Sequence, residues 1–544
     1  VTMNLRSWRS VMALCVSTVC ALALVACGSD DTEAAKAARA FAAAMASQDV
    51  QAASELTTSP SQAADALSDT FAGMHARTVD VDIRNTVEYS DGTASFTMRT
   101  NWKWADDRAY ETTTNGSLRR LSTGWKVQWE QGLLKTGMPV GARLQMVRTD
   151  ATPAPTVRSS SGKAFMQMQP VNEIVIDPAA TRNLQRSVNA LAAALKPIAP
   201  LITPAVINEK IVAAQGGKAV AVTLRDPDMK VLAADPERIA GVTVVKTGML
   251  VMSDRRLSTP LSTGLTNYWQ AVRNATSGWQ VQEAAPGRAP VKLAGEQGRP
   301  APDIMTTVNQ NEQLTLGDAV VEVAQPATMM SFDAQTGGIL AMAQNDAAAD
   351  ARIQADIAYP TGSTLDPVFG AVDDTAKDAG QAKQRWQHLG LGLTFTVPGV
   401  AGPPGGSRPS VSAATFAPQN FTATMLNMGV LGVSVARSLK GETDSVAPHL
   451  IKDTPTKVSD GELGAIDQAT VARLAAQMAT IARRGDASDL TGAPGLRALV
   501  GTNGPAGPGW FVGISGGKVI VVYCEGDASG TAALQVAQKY YRLD

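Results

Sequence analysis

The stretch EAAKAARAFAAAMAS from Glu33 is a run of strong helix formers, and a second helical pattern follows over residues 61–76. From Val79 the apolar positions shift to a period of two. VDVDIRNTVEYS, TASFTMRTNWKWA, AYETTTNGSLRRL and GWKVQWEQ alternate apolar with polar side chains and are rich in Val, Thr and Trp, which predicts four strands. Asp91-Gly92 and Asn115-Gly116 read as hairpin turns between them. Helices followed by a four-strand meander predict a small curved-sheet domain ending near Leu134. Its Trp102, Trp104, Trp125 and Trp129 have two possible uses, lining a ligand cavity or packing the core, and core packing is the commoner use of such residues.

Farther along, TDATPAPTVRSSSG at 149–162 has the Pro/Ser composition of a linker. Residues 163–300 mix elements, with a helical run at 181–195 and a hairpin expected over 266–283, where NYWQAVRN precedes SGWQVQEA. The Gly/Pro-rich GEQGRPAPD closes this region at Asp303, and residues 304–544 carry a mixed α/β pattern with enough apolar content for a core of their own. The expected chain is therefore a multidomain α+β protein divided at 30–140, 141–303 and 304–544.

Composition changes this picture mainly by exclusion. Forty-eight Lys plus Arg stand against 49 Asp plus Glu, so nothing in the charge balance calls for nucleic acid as a partner. The first 27 residues have a separate purpose. Arg6 and Arg9 precede an apolar stretch from Val11 to Val25, too short and wrongly flanked for a mature span, and Leu24-Val25-Ala26-Cys27 with the polar GSDD after it resembles the bacterial lipobox. That resemblance implies lipidation at Cys27 and anchoring on the outer face of the cytoplasmic membrane. Cys15 and Cys20 would leave with the signal, so Cys524, in the apolar KVIVVYCEG, is expected to be a buried structural thiol without a disulfide partner.

Several segments together carry a wider resemblance. The helix and strand order of 33–134 resembles the nuclear-transport-factor-like cone at the N-terminus of some lipid-anchored transpeptidases. Met305-Thr306-Thr307-Val308-Asn309, MMSFDAQTGGILAMAQND at 329–346, YPTGSTLDP at 359–367, TFAPQNFTATMLNMGVLG at 415–432 and VGTNGPAGPGWFVGISGGKVIVVYCEG at 500–526 resemble, in order, segments of the penicillin-binding transpeptidase domain. The chain thus looks like a class B penicillin-binding protein. The resemblance implies a serine-β-lactamase-like C-terminal domain, a middle domain of the dimerisation type, and a place in peptidoglycan assembly among cell-wall synthesis proteins or the polymer itself.

The same resemblance shows which chemistry is missing. In the family a nucleophilic Ser begins a helix and a Lys one turn later takes its proton. Here those positions are Ser363 and Asp366, and a carboxylate is a weak base whose charge opposes an anionic substrate. No Ser-x-Asn triad occurs in residues 367–385. The substrate-binding strand motif is matched by Leu499-Val500-Gly501-Thr502, with apolar side chains where a cation and a hydroxyl belong, although backbone N–H groups that could form an oxyanion hole persist. Ser363 also has a plain structural reading, as a helix N-cap. His75, His388 and His449 lie far apart without metal-ligand spacing, and GPPGGS at 402–407 lacks the Lys-Ser or Lys-Thr of a phosphate loop. No metal or cofactor is expected. The reading is a catalytically degenerate transpeptidase acting as scaffold or regulator, with two alternatives: a weak acyl-transfer or β-lactam-binding enzyme using Ser363, or a cone that binds a ligand or partner while the rest supports it.

Overall fold

A computed structural model describes residues 32–400, 420–501 and 509–544; Cys27, residues 402–407 and Thr502 lie outside the described residues. The fold is mixed α+β, and the chain divides into two units, residues 1–149 with 278–297, and residues 150–277 with 298–544.

The first unit begins with α1 (Glu33–Ala46), α2 (Val50–Glu55) and α3 (Pro60–Met74). Thr32 and Asp49 cap the first two by accepting from Ala35 N and Ala52 N. An antiparallel sheet follows in the order β1 (Thr78–Glu88), β2 (Thr93–Ala105), β3 (Arg108–Leu121), β4 (Gly124–Val127). Strict alternation on β2 buries Ala94, Phe96, Met98, Thr100 and Trp102 on the face that meets Phe41, Met45, Leu67, Phe71 and Met74 of the helices. Trp102 is wholly buried with its ring 5.8 Å from that of Phe71, so it is core. Trp104 is half-buried, donates Nε1–H to the Met74 carbonyl at 2.6 Å and lies 5.6 Å from the Trp279 ring.

Asn115-Gly116 is not a turn. It lies inside β3 with Gly116 opposite Phe96, where a Cβ would come within 2.3 Å of the Phe96 ring, so the glycine makes room for that ring. The β2–β3 reversal falls at Asp106-Asp107, while Asp91-Gly92 does turn the chain, with Gly92 at φ +79°.

A second sheet in this unit has the order β11 (Val291–Glu296), β10 (Gly278–Ala284), β5 (Arg143–Thr149). Leu144 and Val281 enter the same core as Phe41 and Trp102. The contact division therefore departs from boundaries at 140 and 303, because β5 and the 278–297 hairpin pack with the first unit. The hairpin expected over 266–283 is likewise replaced: residues 266–276 belong to helix α7 (Leu261–Thr276), on which Leu261, Leu265 and Trp269 recur every four residues and are buried.

The second unit contains two larger sheets. In the first, β7 (Ala164–Ile176) pairs with β8 (Ala219–Arg225), β9 (Val242–Met252) and β6 (Val157–Arg158), and β12 (Ile304–Met305) runs parallel to β6. Ile174 and Ile176 pack under α4 (Leu184–Leu195) and α5 (Pro204–Ala213), and the short α6 (Asp226–Met229) follows β8. Of the expected opening strand at 305–309, Met305 alone is in a strand. Asn309 instead caps α8 (Gln310–Val320), its Oδ1 accepting from Asn311 N and Glu312 N.

The other sheet has the order β14 (Ile339–Gln344), β13 (Ala327–Asp333), β21 (Lys518–Cys524), β20 (Gly509–Ser515), β19 (Arg497–Val500), antiparallel throughout. Its strands are apolar nearly end to end because both faces are covered. α8 and α14 (Ser529–Leu543) lie on one face and α12 (Met425–Leu439) on the other. α12 comes unusually close: a Cβ on Gly429 would meet the Phe332 ring at 2.3 Å, and one on Gly432 would meet Val519 Cγ1 at 2.4 Å. Cys524 is wholly buried on β21, and burial pushes its thiol up to about 12. The smaller elements of this unit are α9 (Asp346–Asp350), β15 (Tyr359–Pro360) paired with β17 (Thr422–Ala423), α10 (Asp366–Asp373), α11 (Ala379–His388), β16 (Thr394–Thr396) paired with β18 (Lys457–Ser459), and α13 (Gln468–Arg484).

One ionic cluster ties the first covered face together. Lys518 Nζ donates to Glu312 Oε2 at 2.7 Å and to Asp544 Oδ1 at 2.5 Å, and Tyr540 donates to the buried Glu312 at 2.8 Å. Burial opposes the Lys518 charge, but the hydrogen bonds to Asp544 and Glu312 outweigh it and hold the ammonium above its ordinary value of 10.5. The stabilisation is therefore fully present below that value and is lost as pH rises past it. Thermal unfolding followed from about pH 9 to about pH 11 should show a steeper loss of Tm in the native protein than in Lys518→Met. Parallel curves would mean that the cluster contributes nothing to stability.

Candidate active site

Ser363 is delivered by a segment fixed on two sides. Tyr359 and Pro360 pair with Ala423 and Thr422, while Thr361 donates both its N–H and its Oγ1–H to the Phe421 carbonyl, each at 3.0 Å. From the sheet, Trp510 donates Nε1–H to the Pro360 carbonyl at 2.8 Å. The Tyr359 ring stacks on Tyr523 at 4.5 Å, and Tyr523 lies 4.5 Å from Trp510. Burial and the neighbouring Glu525 raise the Tyr523 phenol far above its ordinary range, so it stays a neutral donor to Glu525 at 2.9 Å.

Gly362, at φ +52°, turns the chain into a 3-10 turn over Gly362–Leu365 that runs straight into α10. Thr364 and Leu365 are buried and Ser363 is half-buried. Ser363 is not a helix cap: Thr361 and Leu365 hold the cap positions of the 3-10 turn and of α10, and neither makes a side-chain cap bond. Asp366 opens α10 and is exposed to solvent. Residues 374–378 then join α10 directly to α11, where His388 gives Nδ1 to the Ala465 carbonyl at 2.7 Å. His75 ends α3 in the left-handed conformation and His449 meets Gly338 through backbone, so the three histidines are dispersed.

The edge strand β19 packs beside the 3-10 turn. Leu499 pairs with Val512 and is wholly buried, and Val500 pairs with Phe511 and is half-buried. Gly501 continues the ladder by donating its N–H to the Trp510 carbonyl at 2.9 Å. The place where the resemblance puts a substrate-binding cation is thus filled by a side chain packed into the core. The turn over Gly362–Leu365 and the strand β19 are in contact at this edge of the sheet, while Asp366 is exposed.

Arg497 escaped the motif comparison. It sits two residues before Leu499, hence on the same side of the strand, half-buried, with its Nε buried and without a hydrogen-bond partner. A lone Arg in the short apolar run RALV was the signal that could have found it.

No curated protein matches this chain. One family model does, over the first unit: residues 33–140 match the NTF2-like N-terminal transpeptidase domain, in keeping with a penicillin-binding-protein-like N-terminus.

Proposed function

We propose that this protein is a lipid-anchored, class B penicillin-binding-protein-like member of the peptidoglycan assembly machinery that keeps a transpeptidase-like C-terminal fold and has lost its chemistry, acting as a scaffold or regulator on the outer face of the cytoplasmic membrane. One observation carries the reading: the Ser363 turn sits beside the edge strand of a five-stranded sheet, yet its neighbours in the reaction are an exposed Asp366 and a core-packed Leu499. The N-terminal domain match supports the family context. Partners would be cell-wall synthesis proteins or peptidoglycan.

The test is labelling with a fluorescent penicillin, followed by mass spectrometry of the Ser363 peptide. The reading expects no adduct. The alternative, a weak acyl-transfer enzyme using Ser363, is favoured by Arg497, a cation on the same strand that could meet a substrate carboxylate. An adduct at Ser363 that Arg497→Gln abolished would establish that alternative. Anchoring has its own test. Lipidation at Cys27 predicts that the native protein partitions with membranes and that Cys27→Ala, uncleaved by a lipoprotein peptidase, loses the lipid mass; an unchanged mass would end the lipobox assignment.

A further inference from the structure

The sheet built on β7 and the helix α7 border a cleft of about 560 Å³ that the proposed function leaves unused. Met166 and Leu250 supply apolar lining, Arg225 and Arg255 are its ionisable groups among the described residues, and Ser262 and Asn267 of α7 add a hydroxyl and an amide. In a chain whose acidic and basic residues nearly balance, a cleft lined by two guanidinium groups, with the one carboxylate paired to them, Asp228, buried behind the lining, keeps a net positive charge.

Both guanidinium groups are held from within the protein. Arg225 donates through Nη2 to the Met252 carbonyl at 2.9 Å, and Arg255 is ion-paired with the buried Asp228. Asp228 is fixed in turn by the Arg225 backbone N–H at 3.2 Å. Positioning of this kind lowers the ordering cost of binding. Each planar guanidinium has five N–H donors, so these contacts leave donors to spare. The side chains of Ser262 and Asn267 form no hydrogen bond or ion pair within the described residues.

We propose that this cleft binds a small organic carboxylate, its oxyanion held by Arg225 and Arg255 and its apolar body lying against Met166 and Leu250. Guanidinium recognises a carboxylate through paired N–H donors, and the apolar lining is what separates such a ligand from a bare inorganic anion. The binding is independent of the chemistry at Ser363.

The lining supplies its own reporters, because Met166 and Met252 both border the cleft. The full-length protein in detergent, labelled with methyl-¹³C methionine, would be titrated with N-acetyl-leucine, with the neutral N-acetyl-leucinamide, and with inorganic phosphate. Met166→Leu and Met252→Leu would assign the two signals. The acid should shift both saturably, while the amide and phosphate should not at matched concentration. Arg225→Gln should weaken the acid about tenfold or more. Since that change also removes a bond to Met252, Asn267→Asp provides a second test: it adds a repelling charge, leaves both arginines in place, and should weaken binding by a similar factor. Equal shifts from the amide would reduce the cleft to an apolar groove, and equal shifts from phosphate would make it a plain anion site. Either result, or native affinity in both variants, would overturn the proposal.

Discussion

Penicillin incubated with the full-length protein should leave Ser363 unmodified at concentrations that saturate an active transpeptidase, as read by intact-protein mass. Acylation requires a base for the Ser363 proton, a cation for the substrate carboxylate, and donors for the oxyanion. On the proposed reading the base position is an exposed Asp366 and the cation position a buried Leu499. Loss of cooperating groups in serine enzymes lowers the rate by about 10⁴ to 10⁶, beyond ordinary labelling. Asp366→Lys alone should not restore the adduct, because Leu499 would still occupy the place of the strand cation. A native protein that acquired the acyl mass on Ser363 would refute the loss of chemistry outright.

The second large effect expected is structural. Trp510→Ala should destabilise the second unit by about 3–5 kcal/mol, the range for truncating a fully buried Trp. The side chain is wholly buried, contacts Tyr523, and donates the hydrogen bond that holds Pro360 and with it the approach to Ser363. Trp510→Phe keeps a ring and loses the indole donor, so its cost should be smaller, about 1–3 kcal/mol. Urea unfolding of the three proteins compares the steps; equal midpoints for Trp510→Ala and the native protein would show that the ring supports neither sheet nor turn.

Where a regular pattern is buried on one face, it was legible in the sequence. The alternation from Ala94 to Trp102 could be read directly as a strand, and the apolar run of β21 as a buried segment, whereas β13 and β20 entered only through the family resemblance. Local windows failed where a residue's partner was distant. Gly116 resembled a turn because nothing beside it in sequence reveals the Phe96 ring across the sheet. NYWQAVRN resembled a strand because its helical partners, Leu261 and Leu265, lie outside so short a window. The pairing of 143–149 with 278–284 leaves no local mark at all. At the site, the family resemblance singled out Ser363, Asp366 and Leu499, but whether each faces water or core depends on the turn and the sheet packing together.

The return of residues 278–297 to the first unit bears on how the protein is made. As the chain emerges N-terminus first, the three helices and the first sheet appear early, yet β10, the strand that pairs with β5 and brings Val281 into their core, waits until residues 150–277 have followed. Until then the nascent domain carries an unfilled apolar site and an unpaired strand, the kind of exposed surface that invites chaperones or aggregation. A gene fragment cut at residue 149 would leave that state permanent, with Trp104 lacking the Trp279 ring that it meets in the finished fold.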